Sequence, residues 1–333
     1  GAGATALGAV GSLSGCSAIQ DLIPGGGGGS LGSYTDWVYA PDTFESDGAG
    51  LDNNAVSYKS ILSNKGELNE FTRLTVLGNS YPDLGIDPED VAMELNLPEG
   101  RVITGSFDTE AVKTELSADQ LETPTFGAEN RGGSVGSTTY ESDGTYKDSY
   151  DVYVQSEPED SPDAIAVGDG TIVEGQRVPN SGNESDPVDA SDVVEGIIDT
   201  GTEGADRFVD NDDTFSTLTD TLNTGVSVNF ELKENAVGSE DGGNENIASA
   251  DFDGLVAAGQ SASINGGTTK KQWVFVYDSE SDVNEGDVNE WVEANNTGDG
   301  ALSSHDNISV STDGNTATVT AEQPTFEYGG GFF

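Results

Sequence analysis

The sequence predicts an α+β protein: two tandem β-α-β-β-α-β units with antiparallel sheets, set behind a flexible N-terminal tether. Three observations predict it. Apolar residues switch repeatedly between a period of two and a period of three to four. Turn signals rich in Gly and Pro join short apolar segments into hairpins. An acidic residue closes a strand and opens a helix twice, at Thr104-Gly-Ser-Phe-Asp108 and at Phe275-Val-Tyr-Asp278, as two related units would.

Residues 54–62 (NAVSYKSIL) alternate as a strand, and 65–77 (KGELNEFTRLTVL) bring Leu68, Phe71, Leu74 and Leu77 to helical spacing. Val91 to Leu97 and Arg101 to Phe107 flank the turn Pro98-Glu99-Gly100. Asp108 is placed to cap a helix through Leu116, with Glu110 near the positive end of its dipole. Ala118 to Lys147 read as a long Gly/Ser/Thr loop, and Tyr150 to Gln155 return as a strand. In order this is the ferredoxin-like arrangement. A second pass gives a hairpin over Ala164 to Gly175, a helix over Ser191 to Asp199 and a short helix over 213–222. Strands follow at Gly225 to Leu232, Leu255 to Ile264 and Lys271 to Asp278, then a helix at Asp287 to Ala294. Ile308–Ser311 and Thr316–Ala321 close the chain as a hairpin on Asp313-Gly314-Asn315. The expected boundaries are an export-signal remnant (1–15), a lipid-anchored Gly-rich linker (16–33), α+β domains at 34–160 and 161–323, and a flexible tail at 324–333. Trp37 and Tyr39, just past the linker, read as the first core-anchoring segment, with partner docking as the alternative.

With 61 Asp+Glu against 12 Lys+Arg, the formal net charge is −49 on 333 residues. Such a field repels a phosphate backbone, which excludes nucleic acid as a partner, and it excludes anionic membrane surfaces as electrostatic partners. The 34% of hydrophobic residues suffices for a core. No more than two acids stand together, as at Glu89-Asp90 or Asp212-Asp213, so the charge belongs to the whole surface and not to a tail. Dilute buffer should destabilise such a chain by self-repulsion, and molar salt should relieve it. With its 45 Gly and scarce Lys, the composition resembles that of haloarchaeal proteins along the whole chain.

Gly1 to Gly15 is uncharged and mildly apolar, too short to span a bilayer but suited to the apolar part of an export signal whose basic start is expected upstream. It ends in Leu13-Ser14-Gly15-Cys16, which resembles the lipobox of secreted lipoproteins. That resemblance implies a diacylglyceryl thioether on Cys16 and a mature N-terminus there. The Gly/Ala-rich character resembles twin-arginine export signals, although no Arg pair is present. Pro24 with Gly25 to Gly29, Ser30, Gly32 and Ser33 forms a flexible spacer. A lone cysteine precludes an internal disulfide and a cysteine zinc cluster.

The catalytic motifs lack their context. His305, the single histidine, has Ser304 and Asp306 as chain neighbours but reads as solvated. Gly132-Gly133-Ser134-Val135-Gly136 matches G-x-S-x-G without a strand before or a helix after it. No nucleotide fingerprint is present, and no cofactor is expected. Among 61 carboxylates, pairs at glycosidase spacing carry no information. Asp210, Asp212 and Asp213 form a weak calcium candidate, as does Asp282-Val-Asn284-Glu285-Gly286-Asp287, with helix N-caps as the competing reading. Asn183, Asn295 and Asn307 head sequons permissive for glycosylation. The expectation is a non-enzymatic, lipid-anchored surface protein of a halophilic archaeon, on the extracellular face of its membrane, with envelope proteins as partners. The alternative is an extracellular solute-binding lipoprotein or a carboxylate-dependent hydrolase.

Overall fold

A computed structural model describes residues 31, 34–41, 43–44, 52–78, 84–117, 139–156, 163–178, 187–232, 252–298 and 300–328. A 3-10 turn at Tyr34–Trp37 precedes β1 (Asp52–Val56), α1 (Tyr58–Ser63) and α2 (Glu70–Gly78). Next come β2 (Val91–Leu97), β3 (Gly100–Gly105), α3 (Thr109–Leu116), β4 (Tyr140–Tyr146), β5 (Tyr150–Gln155), β6 (Asp163–Gly168) and β7 (Thr171–Gln176). The second half holds α4 (Ala190–Glu203), α5 (Phe208–Asn211), α6 (Asp213–Thr221), β8 (Ser227–Leu232), β9 (Leu255–Asn265), β10 (Thr268–Tyr277), α7 (Glu285–Asn295), β11 (Asp306–Asp313) and β12 (Thr316–Pro324).

All twelve strands among the described residues join one sheet, in the order β11-β12-β10-β9-β8-β1-β2-β3-β7-β6-β5-β4. This overturns the expected pair of ferredoxin-like units. A β-α-β crossover would leave β1 and β2 parallel, with a strand between them. Instead β1 and β2 are antiparallel neighbours, Ala55 opposite Leu95, and the other side of β1 pairs with β8, Asn54 opposite Asn229. Strands from residues 34–160 and 161–323 thus share a single ladder through β1–β8 and β3–β7.

Period-two alternation decides which helices cover which face. Ala55, Leu95, Val102, Val173, Phe230, Val274 and Val276 point to one side and pack against α4, α6 and the Tyr34–Tyr39 segment. Their chain neighbours Val56, Ile103 and Ile172 point to the other, under α1, α2 and α3. On that second side, Trp273, Phe275, Ala317 and Val319 pack beneath α7. Strands covered on both faces read as continuous apolar runs, as at Val102-Ile103 and Ile172-Val173.

Helix starts follow the sequence signals. Asp108 Oδ1 accepts from the Glu110 and Ala111 amides at 3.1 and 3.2 Å, and Ser57 caps α1. The long α4 lies directly on the sheet at Gly175, where a Cβ would come within 2.8 Å of Val194 Cγ2 and 3.0 Å of the Ala190 carbonyl. Trp37 rests on α4 at Gly201, where a Cβ would fall 2.2 Å from the indole ring. Tyr39 is buried and donates its hydroxyl to Glu99 in the β2–β3 turn. Both aromatics therefore anchor the core. The outermost strands, β4 and β11, each break register with their neighbour, between Ser142 and Gly144 and between Asp306 and Ser309.

Candidate functional site

On α2 the apolar pattern and the burial disagree. Leu68 turns inward, but Phe71, Leu74 and Leu77, three residues apart on one helical arc, are 72, 56 and 40% exposed. The helix packs instead through Thr72 and Val76. Hydrogen bonds to the C-terminal segment hold it this way round. Thr72 Oγ1 donates to the Tyr328 carbonyl at 2.7 Å, and Asn69 Nδ2 donates to the Phe326 carbonyl at 2.8 Å. Asn69 Oδ1 also accepts from the Thr72 amide, as an N-cap does. Residues 325–328, read from the sequence as tail, are thereby fixed beside α2, and Phe326 adds a ring 67% exposed.

Phe71, Leu74, Leu77 and Phe326 are the exposed large hydrophobics among the described residues. Together they present on the order of 400 Å² of apolar surface, about the size of the largest patch on an ordinary monomer, which is often functional. Their electrostatic setting is unusual for this chain. Tyr58 to Gly78 contain Lys59, Lys65 and Arg73 against Glu67 and Glu70, a local balance of +1 where the whole chain carries −49. Lys65 pairs with Glu89 at 2.8 Å, whereas exposed Lys59 and Arg73 enter no ion pair among the described residues.

A second cluster lies on the sheet face shared with α1–α3. Arg101 donates from Nε and Nη2 to Glu174 Oε2 at 3.0 and 2.7 Å, and its Nη1 stands 3.8 Å from Glu94 Oε1. Asn96 bridges Glu94 and Asn54 at 3.3 and 2.8 Å. Burial raises Glu174 against the lowering pull of Arg101. Burial, then the charge of Glu174, pushes half-buried Asp163 up to about 6. The carboxylates lie side by side along the ladder with a guanidinium between them, which is the arrangement of an ion-pair network. A hydrolytic pair would face across a cleft. An acid whose folded value lies above its unfolded one binds more protons when folded, so stability falls as pH rises from about 4 through 6. Asp163→Asn is therefore expected to stabilise the protein by about 1–2 kcal/mol at neutral pH, after allowance for partial exposure, and to bring no gain near pH 3.5. Denaturation at the two pH values in molar KCl measures the difference.

His305 is 8% exposed, not solvated. Its ring stands edge-on to Trp273 at 5.8 Å, and burial, with the nearby Lys271 charge, pushes it down to about 4. Burial brings Lys271 itself down to about 8. Among the described residues neither ring nitrogen of His305 has a side-chain partner, and its neighbours Ser304 and Asp306 face solvent, so these two form no triad with it.

The remaining candidates fall apart or fall elsewhere. Asp212 Oδ1 caps α6 from the Phe215 amide at 2.6 Å, while Asp210 lies in α5 and Asp213 in the first turn of α6. Asn284 caps α7 in the same way, from the Gly286 amide. Among the described residues, no three His, Cys, Asp or Glu side chains converge as metal ligands would. Asn295 ends α7 with its Nδ2 bonded to the Trp291 carbonyl at 2.9 Å, and Asn307 sits exposed at a positive φ with its Nδ2 on Glu322. Leu13, Ser14, Gly15, Cys16, Asn183 and the G-x-S-x-G string lie outside the described residues. No helix among the described residues is long and apolar enough to cross a membrane.

Sequence reasoning found the α2 stripe as a helical spacing of apolar residues and did not say which way it faces. Periodicity reveals an arc and not the side on which it lies. Local charge does not mark that side either, since Lys59, Lys65 and Arg73 stand among Glu67, Glu70, Glu89 and Glu327.

Neither a protein-family model nor a curated protein matches the chain. Among solved structures it is similar to TP0453 in crystal form III, at 8% identity and a TM-score of 0.41 over 86% of this chain and 94% of that one. Crystal form I of TP0453 gives 8% identity and a TM-score of 0.39 over 86% and 93%.

Proposed function

We propose that this chain is an extracellular, lipid-anchored envelope protein of a halophilic archaeon, tethered through Cys16, whose role is contact and not catalysis. One observation carries the contact role: the outward apolar face of α2, extended by Phe326, on an otherwise acidic surface. Burying such a face on a partner removes apolar area from water, while the dispersed carboxylates keep the rest of the molecule solvated. Support for the anchor comes from Leu13-Ser14-Gly15-Cys16 followed by the Gly-rich spacer.

Mass spectrometry of the membrane fraction tests the anchor. The expected mature N-terminus is Cys16 carrying a diacylglyceryl mass. A water-soluble form that retains Gly1 to Gly15 would overturn it.

A further inference from the structure

We propose that Asn307 carries an N-linked oligosaccharide and that Asn295 does not, so that a glycan stands at the β11 end of the sheet. The inference rests on the extracellular location proposed above and adds a modification to it.

Transfer needs an amide nitrogen within reach of the donor and a Ser or Thr hydroxyl two residues further on. The sequons headed by Asn295 and Asn307 both fall among the described residues, and they differ in what holds these two groups. Asn295 is half-buried at the end of α7. Its Nδ2 donates to the Trp291 carbonyl at 2.9 Å, and the Thr297 hydroxyl donates to the Ala294 carbonyl at 3.1 Å. The chain then folds back onto it. The Asn295 carbonyl accepts the Leu302 amide at 3.0 Å, and a Cβ on Gly300 would collide with that same carbonyl. Freeing the Asn295 sequon therefore means loosening the end of α7.

Asn307 is held only at the surface. It stands in the register slip between Asp306 and Ser309, exposed, at a φ of 54°, a left-handed conformation that Asn tolerates better than most residues. Its Nδ2 donates to Glu322 Oε2 at 2.8 Å, an exposed bond that water replaces at small net cost. Glu322 keeps Lys270 at 3.2 Å when the amide turns away. The sequon hydroxyl, on Ser309, is also exposed and meets Thr320 Oγ1 at 2.7 Å.

The donor is an oligosaccharide on a polyprenyl phosphate or diphosphate. Asn307 Nδ2 bonds to the anomeric carbon, the bond from that carbon to the phosphate oxygen breaks, and the lipid phosphate leaves with the electron pair. One Nδ2 proton passes to a base of the transferring enzyme. The other N–H stays on the linked amide, enough to restore the bond to Glu322. Because β11 is an outermost strand, the glycan adds a bulky, hydrated screen beside an edge open to pairing.

Mass spectrometry of the chain from the membrane fraction of its own cells tests the assignment. Cleavage before Asp299 parts the two sequons. The peptide holding Asn307 is expected at its sequence mass plus that of an oligosaccharide, and the peptide holding Asn295 at its sequence mass alone. Asn307→Gln and Ser309→Ala, both at exposed positions, should each remove the added mass, whereas Asn295→Gln should leave it. Ser309→Ala keeps the amide in place, so its effect separates loss of the sequon from loss of the nucleophile. An unmodified Asn307 in chains that begin at lipidated Cys16 would overturn the inference and leave the anchor standing, and a glycan on Asn295 would overturn it as well. Chains that retain Gly1 to Gly15 yet carry the glycan on Asn307 would overturn the anchor alone, and chains with neither lipid nor glycan would overturn both.

Discussion

Dialysed from molar KCl to about 50 mM, the protein is expected to lose its near-ultraviolet circular dichroism in a cooperative transition. The magnitude follows from spacing. The chain exposes 17951 Å², so its 61 carboxylates occupy about 290 Å² each and stand about 17 Å apart. Two charges at that distance repel by about 0.24 kcal/mol in water. Screening leaves about a fifth of this at 0.1 M salt and under a hundredth at 1 M. Summed over about 180 neighbouring pairs, repulsion reaches about 8 kcal/mol at 0.1 M and about 0.2 at 1 M, before the 12 cations offset part of it. Domains of this kind are stable by only about 5–15 kcal/mol. Sodium and potassium salts should rescue alike at equal ionic strength. Cooperative folding retained at about 50 mM would contradict the account.

Replacing Trp273 by Ala should cost about 3–5 kcal/mol, while Trp273→Phe should cost about 1 kcal/mol. Trp273 is 1% exposed and sits between Gln260 of β9 and Val319 of β12 in the ladder. Its ring meets Trp291 at 6.2 Å and His305 at 5.8 Å, so Ala leaves a cavity at the centre of the α7 core. The indole Nε1 is buried and has no hydrogen-bond partner among the described residues. Phe therefore removes no made bond and keeps most of the packing. Urea midpoints in molar KCl measure both variants. Equal losses would mean that the indole N–H, and not the ring's volume, is what this strand requires.

Elements with short-range marks were readable in the sequence. Pro98-Glu99-Gly100 located the β2–β3 hairpin, Asp108 located the start of α3, and Asp313-Gly314-Asn315 located the β11–β12 turn. Sheet order was not readable, because the pairing of Asn54 with Asn229 joins residues far apart in sequence, and no local feature of either strand names its neighbour. Ser57, polar and followed by a helical stretch, ends β1 early and caps α1, where apolar alternation alone had continued the strand to residue 62. β4 escaped notice because it is an exposed edge, Glu141-Ser142-Asp143-Gly144, with no apolar row to reveal it. At the candidate site, the stripe on α2 was legible, but its outward orientation depends on hydrogen bonds from residues 326 and 328, more than 250 positions away.

The register slips in β4 and β11 take on a second meaning in brine. An open ladder invites another chain to dock on its unpaired rim, and proteins in ordinary buffer ward this off in part with charged side chains. Concentrated electrolyte blunts that defence, because neighbouring molecules no longer sense each other's carboxylates until they touch. A kinked rim is a guard made of shape. It presents misaligned donors and acceptors at any ionic strength, so the two ends of this sheet stay terminal under the conditions where charge would no longer stop molecules from stacking into fibres.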